Sequence, residues 1–330
     1  MKRLHDLRLI DGSRDLPGVL LIHGFGMNGH FWEDPCSSFV LGGLAPLSVF
    51  LKDPPDNQPS RFGVSTGAAD NGMKGMALRL AADGFPVASW SQQQPLGAAA
   101  LAVAELERLV AIVCETWPGR PLYLVGHSRG GLIGRDYLGR GGFPEQIRGL
   151  ITICSPHAGT ELAVLSRFLT PLGRLLERLL PETGRNRLTG ALARMADFLG
   201  SPAITELRPD ADWIRRLPAA LPGTLRLFSV GGVDPVLFSL FLRIGGDQQW
   251  RRVGLPDLLL RALPERHLPA ELANGRGDGL VTAASARLPG GDHLDFPVNH
   301  VRSAFDTGVY RRIRELLLAH PGADTPGKQS

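Results

Sequence analysis

The residue with the clearest chemistry is Ser128, at the centre of Gly126-His127-Ser128-Arg129-Gly130. A serine hydroxyl attacks a carbonyl carbon at neutral pH only when a base within hydrogen-bond reach takes its proton, and the base needs an acid to orient it. The chain holds nine histidines. His23, His127 and His157 belong to strand-end motifs and read as structural, while His5, His30 and His320 lie in flanking or irregular stretches. His293 and His300 both follow the last candidate strand; His300 is favoured because it stands just before the closing helix. For the acid, Asp278 and Asp234 both qualify, and the glycines around Asp278 suit an exposed turn.

The elements around Ser128 decide whether this chemistry is intended. A G-x-S-x-G string arises by chance in a chain with 41 glycines. Here, however, Leu122 to Val125 is an apolar run that predicts a buried parallel strand, and Gly131 to Tyr137 carries apolar residues at helical spacing. Strand, sharp turn and helix, with serine at the apex, form a nucleophile elbow. The turn strains the serine backbone and brings helix against strand, so the flanking positions must lack a β-carbon. The Arg129 amide then lies at a helix N-terminus, where it can meet a developing anion. A second apolar run, Val19 to Ile22, leads into His23-Gly24-Phe25-Gly26, a glycine loop that supplies the Phe25 amide as the second oxyanion donor.

Composition bounds the rest. With 330 residues, 43% hydrophobic and 21% charged, the chain is globular and can bury a large core. No apolar run reaches bilayer-spanning length, and the basic N-terminus has no signal-peptide core, which gives a cytoplasmic expectation. The net charge is +4, but the arginines are scattered rather than clustered with aromatics, so nucleic-acid binding has no support. Cys36, Cys114 and Cys154 are odd in number and not at metal spacing, which predicts buried free thiols.

Read in order, the chain alternates strands and helices. A helix is expected over Gly72 to Ala82, a strand over Phe85 to Trp90, a helix over Leu96 to Trp117 and a strand over Gly149 to Cys154. Two Pro- and Gly-rich stretches, His30 to Asn71 and Gly231 to Asn274, interrupt it; apolar residues in the first, such as Val40 and Phe50, place part of it beside the site's mouth. Leu162 to Leu180 is amphipathic, and further helices are expected over Leu188 to Leu199 and Asp210 to Leu217. This predicts a helical cap over residues 160–222, with Leu165, Leu169 and Leu172 forming an acyl-binding wall. Thr224 to Val230 resumes the sheet, and Val301 to Ala319 closes the chain as a helix. The whole reads as one domain over residues 1–330, with a disordered tail at 322–330.

With these pieces in place, the sequence resembles the α/β-hydrolase superfamily, in its bacterial lipase-like branch. The matching residues are IHGFG at 22–26, VGHSRGG at 125–131, SPHAGT at 155–160, ELRPDADWIRRL at 206–217, RGDGLV at 276–281 and VNH at 298–300. The resemblance implies an α/β-hydrolase fold, a mostly parallel sheet with helices on both faces and a cap or lid insertion. It implies Ser128 as nucleophile, Asp278 as acid and His300 as base, with the Phe25 and Arg129 amides as the oxyanion hole. It also implies that the superfamily's first two strands are missing. No cofactor is implied. Calcium-binding lipases of this type carry an aspartate two residues after the histidine, where this chain has Arg302; no metal is therefore expected.

The expected activity is hydrolysis of a carboxylic ester with an apolar acyl chain, the partners being a small-molecule or lipid ester and, transiently, a lipid interface. The alternatives are another acyl hydrolase (phospholipid or glycolipid deacylase, polyester hydrolase, amidase or acyltransferase) or, more remotely, a non-catalytic binding protein.

Overall fold

A computed structural model describes residues 6–40, 43, 45–55, 62–65, 67–69, 73–164, 197–198, 200–244, 250–254 and 269–319. Its labelled elements are, in chain order, β1 (Arg8–Ile10), β2 (Gly18–Ile22), β3 (Phe62–Ser65), α1 (Met76–Ala82), β4 (Val87–Ser89), α2 (Ala99–Thr116), β5 (Leu122–His127), α3 (Arg129–Gly139) and β6 (Ile147–Ile153). There follow α4 (Pro202–Thr205), α5 (Asp212–Arg216), β7 (Arg226–Gly232), β8 (Ser239–Ile244), β9 (Arg251–Gly254), β10 (Asp292–Phe296) and α6 (Thr307–Leu318).

The main sheet runs in the order β1-β4-β2-β5-β6-β7-β10. All neighbours are parallel except β1, which pairs antiparallel with β4. The central strands β2 and β5 are buried along their whole length. Successive side chains on a strand point to opposite faces, so each central strand feeds two cores. Val19, Leu21, Tyr123 and Val125 join α1 and α6 on one face, and Leu20, Ile22, Leu122 and Leu124 join α2 and α3 on the other. This double burial is why those strands read as unbroken apolar runs. No helix among the described residues is long and apolar enough to cross a membrane.

Several expectations are corrected. Residues before Gly18 do form a strand: β1 registers Ile10 opposite Val87 at the sheet edge. With only three residues, two of them exposed, it is too short to give a strand signal. The closing helix is broken, a 3₁₀ turn at Arg302–Ala304 preceding α6, because Asp306 caps α6 by accepting from the Val309 amide. The two irregular stretches meet: β3 from the first pairs with β8 from the second, and β9 completes a three-stranded antiparallel sheet. All three cysteines are free, but only Cys154 is buried; Cys36 and Cys114 are partly exposed. The amphipathic segment beyond residue 164, including Leu165, Leu169 and Leu172, lies outside the described residues, as do most of Leu188 to Leu199 and the 322–330 tail.

Candidate active site

Ser128 joins β5 to α3 with φ 55° and ψ −128°, a strained conformation for a residue with a side chain. Its amide donates to Ile153 O at 2.8 Å, and its carbonyl accepts from Gly131 N at 3.1 Å. A β-carbon at Gly126 would strike the Gly131 amide, and one at Gly130 would strike the Ile22 carbonyl of β2. Both glycines are therefore required by close backbone approach, and the helix packs against the strands tightly enough to hold the serine in its strained turn.

The structure brings Ser128, His300 and Asp278 into one hydrogen-bonded chain. His300 Nε2 lies 3.0 Å from Ser128 Oγ, and His300 Nδ1 lies 2.8 Å from Asp278 Oδ2. A carboxylate accepts, so Nδ1 carries the proton and Nε2 is left to accept from the serine hydroxyl. The other Asp278 oxygen accepts from the Leu280 and Val281 amides at 2.9 and 2.7 Å, and Asp278 O accepts from His300 N at 2.9 Å. Rather than standing on an exposed turn, the Asp278 carboxylate is buried, with 1% of the residue accessible.

The two rivals serve elsewhere. Asp234 forms an ion pair with Arg252 at 2.8 Å. His293 is bonded to Ser229 Oγ and to Asp295, both at 2.8 Å.

Two further histidines brace the site. His23 Nε2 accepts from Gln92 N at 3.0 Å, which leaves Nδ1 to donate to Gly24 O at 2.8 Å and shape the glycine loop. A β-carbon on Gly24 would lie 3.0 Å from Ser128 Cβ, so this loop stands directly beside the serine. The Phe25 amide stands in this loop, and the Arg129 amide opens α3 immediately after the serine. His127 Nε2 donates to the His300 carbonyl at 2.9 Å, and Ser303 Oγ donates to the same oxygen at 2.8 Å. Burial pushes His23 down to about 4, against the Gly24 bond, which favours its charged form. Burial first, and then the neighbouring His300, pushes His127 down to about 3.

Both imidazoles are therefore neutral in the native state at pH values where an unfolded histidine, near 6.5, takes a proton. The unfolded chain binds more protons there, so stability is complete above 6.5 and falls as pH drops toward 4 and then 3. Urea midpoints measured across this window are expected to decline steadily, and His23→Gln should flatten the slope. A flat wild-type profile would refute the buried neutral pair.

The Arg129 guanidinium, adjacent to the serine in sequence, is fully buried. Its Nη2 donates to Gly97 O at 2.6 Å and to Glu206 Oε2 at 3.2 Å, tying α3 to the end of α4. Glu206 stands within the ELRPDADWIRRL stretch, where an isolated glutamate carries no partner signal, and the same holds for Thr160 and Glu271. Glu271 Oε1 accepts from Glu161 N at 2.8 Å, and Thr160 Oγ1 donates to Leu280 O at 2.7 Å, joining the segment after SPHAGT to the Asp278 loop.

Above Ser128 lies an apolar cavity of about 350 Å³, whose lining includes Phe25, Phe50, Leu162, Phe198, Leu207 and Leu237. Ligand donor atoms of Cys154, Asp278 and His300 fall within 4.8 Å of one another. As a metal site this set fits poorly. The Nδ1–carboxylate hydrogen bond engages two of its members, and burial, then Asp278, hold the Cys154 thiol well above its usual value and therefore protonated.

The alpha/beta hydrolase fold family model matches residues 17–202, more than half of the chain. The chain belongs to the α/β-hydrolase family. Among solved structures, this α/β hydrolase is similar to a Bacillus licheniformis lipase in its mature form. The two share 18% identity at a TM-score of 0.56, over 94% of this chain and 97% of that one. It is also similar to a metagenomic carboxyl esterase, with 16% identity and a TM-score of 0.49 over 88% of this chain and 66% of that one. No curated protein matches it. At 18% identity the likeness to the lipase shows the fold, and the chemistry has to be argued from the site.

Proposed function

We propose that the chain is a serine hydrolase that cleaves carboxylic esters with an apolar acyl chain through an acyl-enzyme. The carrying observation is the Ser128–His300–Asp278 hydrogen-bonded chain at the floor of an apolar cavity. Ser128 Oγ attacks the ester carbonyl while His300 Nε2 takes its proton. The buried Asp278 carboxylate holds the imidazole in the correct tautomer and stabilises the imidazolium. The developing oxyanion is met by the Phe25 and Arg129 amides, each donor being worth about 3 kcal/mol. His300 then protonates the departing alcohol, and water, activated by the same histidine, releases the acid and restores Ser128.

The cap over residues 160–222 is read as the roof of this cavity. Its described parts support that reading, since Leu162, Ala163, Phe198, Ile204 and Leu207 line the space above the serine. Opening such a roof exposes apolar surface, at a cost of about 25 cal/mol per Å² in water and far less at a lipid interface.

A panel of p-nitrophenyl esters of increasing acyl length, set beside phospholipid, polyester and amide substrates, tests the proposal. Ester cleavage that improves with chain length supports it. A preference for amides, or no labelling of Ser128 by a fluorophosphonate, would refute it.

Activity is also expected to survive EDTA within about twofold. The Arg302 guanidinium donates to Lys52 O at 2.7 Å and pairs with Asp53 at 2.8 Å, so a cation already holds this side of the histidine turn and opposes a hard metal ion there. Loss of most activity to EDTA, restored by calcium, would overturn this.

A further inference from the structure

The two amides that would meet the oxyanion, those of Phe25 and Arg129, belong to residues whose side chains are both engaged by the stretch between β6 and β7. The Phe25 ring packs on the Phe198 ring, with centroids 4.7 Å apart and planes tilted by 39°. The Arg129 guanidinium pairs at 3.2 Å with Glu206, the residue that follows α4. Glu206 Oε2 also accepts from the amide of Ala99, the first residue of α2, at 2.8 Å. One stretch of chain therefore grips both donor residues and is itself anchored to the next helix.

Each grip does something the backbone does not. On either side of Phe25 the loop is tied, the Gly24 carbonyl to His23 Nδ1 at 2.8 Å and the Gly26 amide to Pro95 O at 3.3 Å. Phe25 itself stands between two glycines, and Gly26 holds φ 64°, so the backbone there is easily turned. An aromatic pair has preferred geometries, and docking the ring limits that turning. Arg129 is fully buried, and its Nε and Nη1 find no partner among the described residues. Its hydrogen bonds run through Nη2, to Gly97 O at 2.6 Å and to Glu206, with the Trp213 ring 5.7 Å away. A buried guanidinium deprived of its carboxylate is driven toward another partner or toward water, and it pulls on the first turn of α3.

Oxyanion stabilisation depends on donors fixed before the charge develops, and a misplacement of about 1 Å costs on the order of 10²-fold in rate. Resting on the ester-hydrolase reading above, we propose that Phe198 and Glu206 are positioning residues for the oxyanion hole. By holding the Phe25 ring and the Arg129 guanidinium, they keep the two amides aimed at one point. Phe198 also lines the acyl cavity, so the two roles have to be told apart. A wall residue acts only on acyl chains long enough to touch it, and its loss raises KM for them. A residue that places the hole acts on every ester, acetate included, and its loss lowers kcat.

The test measures kcat and KM for p-nitrophenyl acetate and decanoate with the wild type, Phe198→Ala, Phe198→Leu and Glu206→Gln, alongside thermal melts. Phe198→Ala should lower kcat for the acetate by about tenfold with KM within about twofold. Phe198→Leu restores apolar bulk against Phe25 and should recover most of that loss. Glu206→Gln keeps an acceptor for Arg129 but removes its charge, and should lower acetate kcat by about three- to tenfold. Inhibition by trifluoroacetone gives a second readout. Ser128 Oγ adds to its carbonyl carbon, the C=O electron pair moves onto oxygen and the hydroxyl proton passes to His300 Nε2, so the adduct carries the same oxyanion. Its Ki should rise by about the factor by which acetate kcat falls. If one position does not tolerate substitution, the other decides. Losses confined to the decanoate, an unmoved Ki, or failure to fold at both positions would make these residues acyl wall or core, overturning the positioning role and leaving the ester-hydrolase reading standing. A wild type that cleaves neither ester removes both.

Discussion

Ser128→Ala is expected to lower kcat for ester hydrolysis by about 10⁶ while leaving the thermal midpoint within a few degrees of wild type. The size of the loss follows from the unit character of the hydrogen-bonded chain. Without Oγ there is no atom to form the acyl-enzyme, and His300 Nε2, 3.0 Å from that oxygen, has no proton to take. What survives is binding and the two amides, which together leave roughly 10³- to 10⁴-fold over water. The fold should tolerate the change because Ser128 is held by its backbone. Its amide is bonded to Ile153 O, its carbonyl to Gly131 N, and its turn is enforced by Gly126 and Gly130. Rates and melts on one preparation test both halves. A variant keeping a tenth of wild-type activity would move the nucleophile elsewhere.

The contrast between local and non-local information explains what the sequence made legible. The elbow was readable because everything that forces it lies within a few residues: a strand buried on both faces, two glycines and the start of a helix with apolar residues at helical spacing. The parallel sheet was readable for the same reason. The β3-β8-β9 sheet was not, since its strands come from separate Pro- and Gly-rich stretches and are specified only by pairing with one another. Nor were the braces. His23 and His127 were read as structural, but a histidine's sequence neighbourhood does not say that one bonds Gln92 and Gly24 and the other the His300 carbonyl. The Arg129–Glu206 pair joins residues with no local relation, across a segment whose periodicity says only that it is amphipathic. The rivalry between His293 and His300 had the same origin. His293 in fact lies within β10, registered opposite Ser229 and bonded to Asp295, whereas His300 follows the strand and meets Ser128 and Asp278.

Asp278→Asn is expected to lower kcat by about 10⁴, whereas Asp234→Asn should cost far less. An asparagine at 278 keeps the volume and can still accept from the Leu280 and Val281 amides through its carbonyl oxygen. Its amide nitrogen would then face His300 Nδ1, now 2.8 Å from a carboxylate oxygen. Two donors cannot share that contact, so the imidazole shifts its proton to Nε2 and presents N–H to Ser128 in place of a lone pair. The hydroxyl loses its acceptor, and the imidazolium formed during attack loses the buried negative charge that stabilises it. The backbone bond from His300 N to Asp278 O is indifferent to the substitution, so the turn persists and the loss falls on kcat more than on KM. Asp234 carries none of this chemistry. Its carboxylate accepts from Arg252 and from the Val236 amide, at the edge of the three-stranded sheet. Its asparagine variant should therefore keep the short-chain rate within about tenfold. Measuring both variants against one short-chain ester separates the two carboxylates. A greater kcat loss at 234 than at 278 would transfer the role of acid to Asp234 and break the hydrogen-bonded chain on which the mechanism depends.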